Sequence, residues 1–131
     1  MASETVTVRV PATAGHLALL RTAVGGYAAR DQLTIDQVDD LRMAVEEAAV
    51  QLLRHATSER IELDVCGTAT GVEVRLHAEV AGEQPIIDES SFSWSILRAL
   101  SDDLAVEMQQ RHATIVLSKH RLPHLNEDTE A

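Results

Sequence analysis

The chain has 131 residues, a length for one domain, and 45% of them are hydrophobic, enough to build a core without disulfides or metals. Its formal net charge is −10, which speaks against nucleic acid and anionic membrane surfaces as partners, because Lys and Arg hold both. A basic protein surface suits it better, since complementary charge speeds encounter.

The chain opens on Met1-Ala2-Ser3-Glu4, with neither a basic segment nor an apolar run, so no signal peptide is expected. Thr5-Val6-Thr7-Val8-Arg9-Val10 alternates with its valines on one face, which predicts a strand that Pro11 closes. Thr13 can cap a helix carrying Leu17, Leu20, Val24 and Tyr27 at 3–4 residue spacing. Gly25-Gly26 within it cost about 1 kcal/mol each relative to alanine, so close packing or a break is expected there. Thr34 is the next cap candidate. Behind it Ile35, Val38, Leu41, Val45, Ala48, Ala49, Leu52 and Ala56 form one apolar stripe, with Asp36, Asp40, Glu47, Gln51 and Arg54 opposite. Met43 and Val50 interrupt the polar side, which predicts a helix covered on both sides or lining a pocket.

Arg60 to Cys66 and Val72 to Leu76 alternate around a Gly67–Gly71 hairpin loop. The lone Cys66 reads as a buried thiol in a reducing cytosol, and with no stretch long and apolar enough to span a bilayer the expected location is cytoplasmic. A polar stretch with Gly82, Pro85, Asp88 and Glu89 leads to a helix over 91–100. Leu104 to Met108 and Thr114 to Leu117 predict a final strand pair, and residues 122–131 read as an acidic, flexible tail after a single domain over 1–121. The order β-α-α-β-β-α-β-β predicts a two-layer α/β sandwich: one mixed sheet with helices on one face.

Several strings carry a resemblance to a known family. They are Asp40-Leu41-Arg42-Met43-Ala44-Val45-Glu46-Glu47-Ala48, Arg54-His55-Ala56, and Ile96-Leu97-Arg98-Ala99-Leu100-Ser101-Asp102. With the element order, they make residues 4–121 resemble the GHKL-type (Bergerat-fold) ATPases. Within these the chain is similar to the anti-sigma factor/serine kinases of bacterial partner-switching systems. Ser91-Phe92-Ser93-Trp94 looks like the actinobacterial branch that controls sigma-F-type factors. The resemblance implies a protein that sequesters an alternative sigma factor and is released by a STAS-type anti-anti-sigma antagonist. It also implies a homodimer, with ATP and Mg²⁺ as the cofactors of active relatives, which phosphorylate the antagonist on serine.

The same resemblance places the kinase machinery. Glu47 stands where the family has its base for the substrate hydroxyl. Gln51 stands where it has the Asn that holds Mg²⁺, and one extra methylene moves the coordinating oxygen. On periodicity alone the simpler reading is that both are polar residues on a solvated face. The family's Asp-x-Gly-x-Gly box corresponds to Leu76–Gly82, which holds no Asp and no glycine pair; Asp88 lies too far along without a loop rearrangement. Ser91 and Ser93 occupy the glycines of a phosphate-cradling Gly-x-Gly. Three altered elements imply loss of efficient kinase activity; an active kinase using Glu47 is the alternative.

Arg21 falls where the family meets its sigma factor, and otherwise reads as an exposed Arg lying along a core stripe. Phe92 and Trp94 cannot share a helix face, so one is expected in the core and the other as an exposed anchor, with a buried Trp94 filling the nucleotide pocket as the alternative to an exposed one. None of the six histidines pairs with Cys or His at metal-site spacing, so no metal site is expected.

Overall fold

The computed structural model describes residues 4–123. Their alternating valines, isoleucines and leucines form β1 (Thr5–Pro11), β2 (Arg60–Gly67), β3 (Gly71–Glu79), β4 (Asp103–Gln109) and β5 (His112–His120). The stretches with a 3–4 residue period form α1 (Leu17–Ala28), α2 (Ile35–His55) and α3 (Phe92–Leu100). The expected tail lies outside the described residues from position 124 onward.

The sheet has the order β1-β2-β3-β5-β4, and every neighbouring pair is antiparallel. The expected mixed sheet is therefore corrected. Two helices rather than one join β1 to β2, so the chain reverses once more than in a parallel crossover. The α3 connection does run between parallel strands, β3 and β4, but β5 lies between them and pairs with both.

One face of the sheet carries Ile61, Leu63, Val65, Val74, Leu76, Ile115 and Leu117, all at most 1% exposed, and the helices cover it. Leu20 and Val24 of α1, Leu41, Val45 and Leu52 of α2 and Leu97 of α3 complete this core. The other face is polar, with Glu62, Asp64, Arg75, His77, His112 and Glu107 on neighbouring strands. Cys66 belongs to this open face and is only half-buried, a correction to the expected buried thiol. With Ile61, Leu63 and Val65 pointing inward, strand alternation turns residue 66 outward.

Thr13 precedes a short 3₁₀ turn, Ala14–His16, and its hydroxyl meets His16 Nδ1 at 2.7 Å rather than capping α1. Helix α1 runs unbroken through Gly25-Gly26. A Cβ on Gly25 would stand 2.9 Å from Arg42 Cδ of α2, so this glycine serves close helix packing; Gly26 faces open space. Thr34 and Gln37 form a complete capping box on α2. Ile35 is 80% exposed, contrary to its expected place in the stripe, because it occupies the first helical position before α2 reaches the core. Gln37 Nε2 donates to His120 O at 2.6 Å, and buried Lys119 donates to Asp40 Oδ2 at 3.2 Å and Leu100 O at 3.1 Å. These bonds join α2 and α3 to β5.

Candidate functional site between the second and third helices

Glu47 and Gln51 are one turn apart on α2, so their side chains meet. Gln51 Nε2 donates to Glu47 Oε2 at 3.1 Å. A carboxylate only accepts, so this contact directs the amide nitrogen, and not its oxygen, at Glu47. The start of α3 faces the same carboxylate, and Ser93 Oγ donates to Glu47 Oε2 at 2.6 Å, in the short range of charge-assisted bonds. The structure thus brings together Glu47, Gln51 and Ser93, three of the residues singled out in the sequence.

Ser91 stands beside them in a different role. It caps α3, its Oγ accepting from Trp94 N at 3.2 Å. A helix N-terminus offers free N–H groups to an anion; here the chain's own hydroxyl takes one of them.

The segment between β3 and α3 closes the cleft. Val80 bridges to Ala56, Ala81 N donates to His55 O at 3.1 Å, and Gly82 takes a φ of +88° that favours glycine. This fixes the start of the loop against the end of α2. Ile86 and Ile87 then turn inward, 7% and 4% exposed. Sequence reading took this stretch as polar, and two adjacent isoleucines offer no periodicity to correct that. They line an open cleft of about 460 Å³ with Glu47, Gln51, Arg54, Asp88, Ser91, Phe92, Ser93 and Ile96. The loop does bring Asp88 to the rim. Its Oδ1 accepts from the backbone N–H and hydroxyl of Ser90, both at 2.9 Å, and these bonds, the backbone one first, hold its carboxyl below the usual range.

Phe92 is 81% exposed at the cleft mouth, while Trp94 packs partly buried against the core, so the division between the two aromatics is as expected. Trp94 lies over a neighbouring depression with Pro85, Ile87 and Val106, leaving Ile86 and Ile87 as the cleft's apolar wall.

Arg21 belongs to a separate groove. Its Nη1 donates to Glu46 Oε1 at 2.8 Å, and Asp39, Arg42 and Met43 complete the lining. Met43, 49% exposed, thus borders a groove, as its place on the polar side of α2 suggested. No described helix is long and apolar enough to cross a membrane.

Known proteins can be set against this geometry. The sequence pattern of the histidine kinase-like ATPase domain matches residues 10–119. The chain is 35% identical over 102 residues to the anti-sigma-F factor RsbW of Mycobacterium tuberculosis, an alignment covering 76% of this chain and 59% of that protein. It is 21% identical over 137 residues to the serine-protein kinase RsbW of Bacillus cereus, covering 89% and 85%. Its fold superimposes on the crystal structure of the RsbU and RsbW domains of Rv1364c from Mycobacterium tuberculosis, with a TM-score of 0.68 and 15% identity, over 91% of this chain and 32% of that one. The histidine kinase domain of the Erythrobacter litoralis blue-light activated kinase gives 0.54 at 15% identity, over 92% and 64%. The GHKL-like sandwich is the shared fold, and the chain spans less than two thirds of the length of the Mycobacterium tuberculosis relative. With the matched pattern running from β1 to β5, the chain belongs to the histidine kinase-like ATPase domain family.

Proposed function

We propose that this chain is an anti-sigma factor that sequesters a sigma-F-type factor, gives it up to an anti-anti-sigma antagonist, and turns over ATP poorly or not at all. Its likeness to a protein named anti-sigma-F factor supports the partner class. The observation that carries the reading is the state of Glu47. A general base needs a free lone pair within reach of its proton. Both hydrogen bonds that Glu47 receives fall on Oε2, from Ser93 and Gln51, so a substrate hydroxyl has to displace one of the chain's own donors or use Oε1 alone.

The cleft also fits a magnesium nucleotide poorly. Mg²⁺ asks for oxygen donors in near-octahedral array at about 2.0–2.1 Å. Gln51 presents nitrogen to Glu47, and Ser91 holds the end of α3 that would meet a phosphate. Arg21, on the groove formed with Met43 and Glu46, is the residue proposed to meet the sigma factor. A cytoplasmic location and a homodimer belong to the same proposal, the dimer because the sheet leaves β1 and β4 as unpaired edges.

Calorimetric titration with the sigma-F-type factor in the absence of nucleotide tests the reading. Saturable binding is expected; no binding without ATP, restored by ATP, overturns it. The second reading, an ATP-dependent serine kinase, is favoured by Glu47 lining the cleft and by the Bacillus cereus relative's name. Transfer of labelled γ-phosphate to the antagonist at turnover rates decides for it.

A further inference from the structure

On the open face of the sheet, away from the cleft, His77 Nε2 lies 3.2 Å from Asp64 Oδ2 and 3.4 Å from Glu62 Oε1. One ligand atom from each of the three lies within 4.8 Å of the others. We propose that Glu62, Asp64 and His77 form a binding site for a divalent transition metal of the zinc class. The chain spacing hides it, since the three come together only through register: Glu62 faces His77 across β2 and β3, and Asp64 is the diagonal neighbour.

Two observations carry the assignment. The first is the spacing of the donors. Metal–ligand distances of about 2.0–2.2 Å in a tetrahedron place neighbouring ligand atoms about 3.3–3.6 Å apart; of the two distances from His77 Nε2, 3.4 Å lies in that range and 3.2 Å just short of it. The second is that the remaining atom of every ligand is already held from behind. Thr7 Oγ1 donates to Asp64 Oδ1 at 2.7 Å, leaving Oδ2 free, and Arg9 Nε donates to Glu62 Oε2 at 2.6 Å, leaving Oε1 free. His77 Nδ1 meets His112 Nε2 at 3.1 Å, and His112 Nδ1 meets Glu79 Oε2 at 2.8 Å. Such outer partners orient metal ligands and set the imidazole tautomer.

Proton counting along this relay sharpens the point. If both rings are neutral, His112 uses Nδ1–H for Glu79, His77 uses Nδ1–H for His112, and His77 Nε2 is left as a bare lone pair aimed between two carboxylates. A divalent ion at Nε2 meets that lone pair and both carboxylates at once. Zinc supplies two charges against two carboxylates and accepts imidazole readily, whereas Ca²⁺ wants six to eight oxygens. The ligand side chains are 20–29% exposed, so an ion can enter and a fourth position stays open to solvent.

Titration of the tag-free, chelator-stripped full chain with zinc, and with cobalt read by its visible absorption, tests the site. One saturable site and a tetrahedral cobalt spectrum are expected. His77→Ala and Glu62→Gln should each weaken binding by at least about tenfold, with circular dichroism unchanged. Affinity should fall as pH drops, because protons compete with the metal for its ligands. His120→Ala should leave both unchanged. Absence of saturable binding at micromolar zinc, or binding that survives His77→Ala and Glu62→Gln, overturns the proposal and leaves the cluster as a polar network on the open face of the sheet.

Discussion

Ser93→Ala removes the shorter of the two hydrogen bonds on Glu47 and leaves the Ser91 cap of α3 in place. At 2.6 Å the bond is charge-assisted, a class with net contributions of about 1.5–3 kcal/mol. The cleft is open to solvent, so water recovers part of this and the expected loss is about 1 kcal/mol. For a chain of this size that lowers the melting temperature by roughly 3–6 °C. A double-mutant cycle with Glu47→Gln, read by urea unfolding and far-ultraviolet circular dichroism, isolates the pair. A coupling of about 0.5–1.5 kcal/mol is expected. Additivity within about 0.3 kcal/mol would falsify the premise that hydrogen bonding engages Glu47, and the kinase reading would gain what the binding reading lost.

Arg21→Glu sets two carboxylates side by side where Arg21 now meets Glu46 at 2.8 Å. It should weaken sigma-factor binding by at least about tenfold while the fold survives, because rim ion pairs contribute only about 0–1 kcal/mol to stability; unchanged affinity in the calorimeter removes Arg21 from the interface. Asp103 accepts hydrogen bonds from Ser118 and His120, the first being the larger cause of its carboxyl lying below the ordinary value. A lowered native pKa stabilises the fold above the unfolded value, and that contribution is lost as pH falls through the native value. Asp103→Asn should therefore cost stability at neutral pH and converge on the parent below about pH 4; a gap that stays constant with pH refutes this. Burial, and then the Glu73 charge, push the Cys66 thiol up. Since the thiolate is the nucleophile, iodoacetamide at pH 8 should label Cys66 more slowly than a short peptide thiol, and urea should abolish the difference; equal native rates count against it.

Where local physics decides, the sequence was readable. Alternation located the strands, and Thr34 announced the start of α2. Where a residue's fate depends on what arrives from elsewhere, it was not. Ile35 matches the stripe of α2 but lies beyond the reach of the core. Ile86 and Ile87 are buried because a loop is folded onto α2, a tertiary event without a local pattern. The antiparallel character of the whole sheet depends on β5 separating β3 from β4, a choice of partner that no window of sequence contains. Glu47, Gln51 and Ser93 were identified by resemblance, but which of their atoms meet could be read only from the packed helices. Glu62, Asp64 and His77 were not singled out because spacing was sought along the chain, and these three meet only across it.

That inserted strand also holds together parts of the domain that share no bond of their own. Among the described residues β4 pairs with β5 alone, and β5 meets β3 along its full length, from Gly71 opposite His120 to Glu79 opposite His112. Without β5 the sheet is a three-stranded piece that ends at β3, and β4 is detached. The pairs across β3 and β5, like those across β1 and β2, are far apart in the chain, the kind of contact that slows folding because the loop entropy is lost before the contacts are gained. The fit is demanding as well: a Cβ at Gly71 would stand 1.9 Å from Lys119 O, so the zipper between β3 and β5 starts at a position that tolerates no side chain. The two helices that shape the cleft are thus tied, through Gln37, Asp40 and Leu100, to the same strand that carries β4.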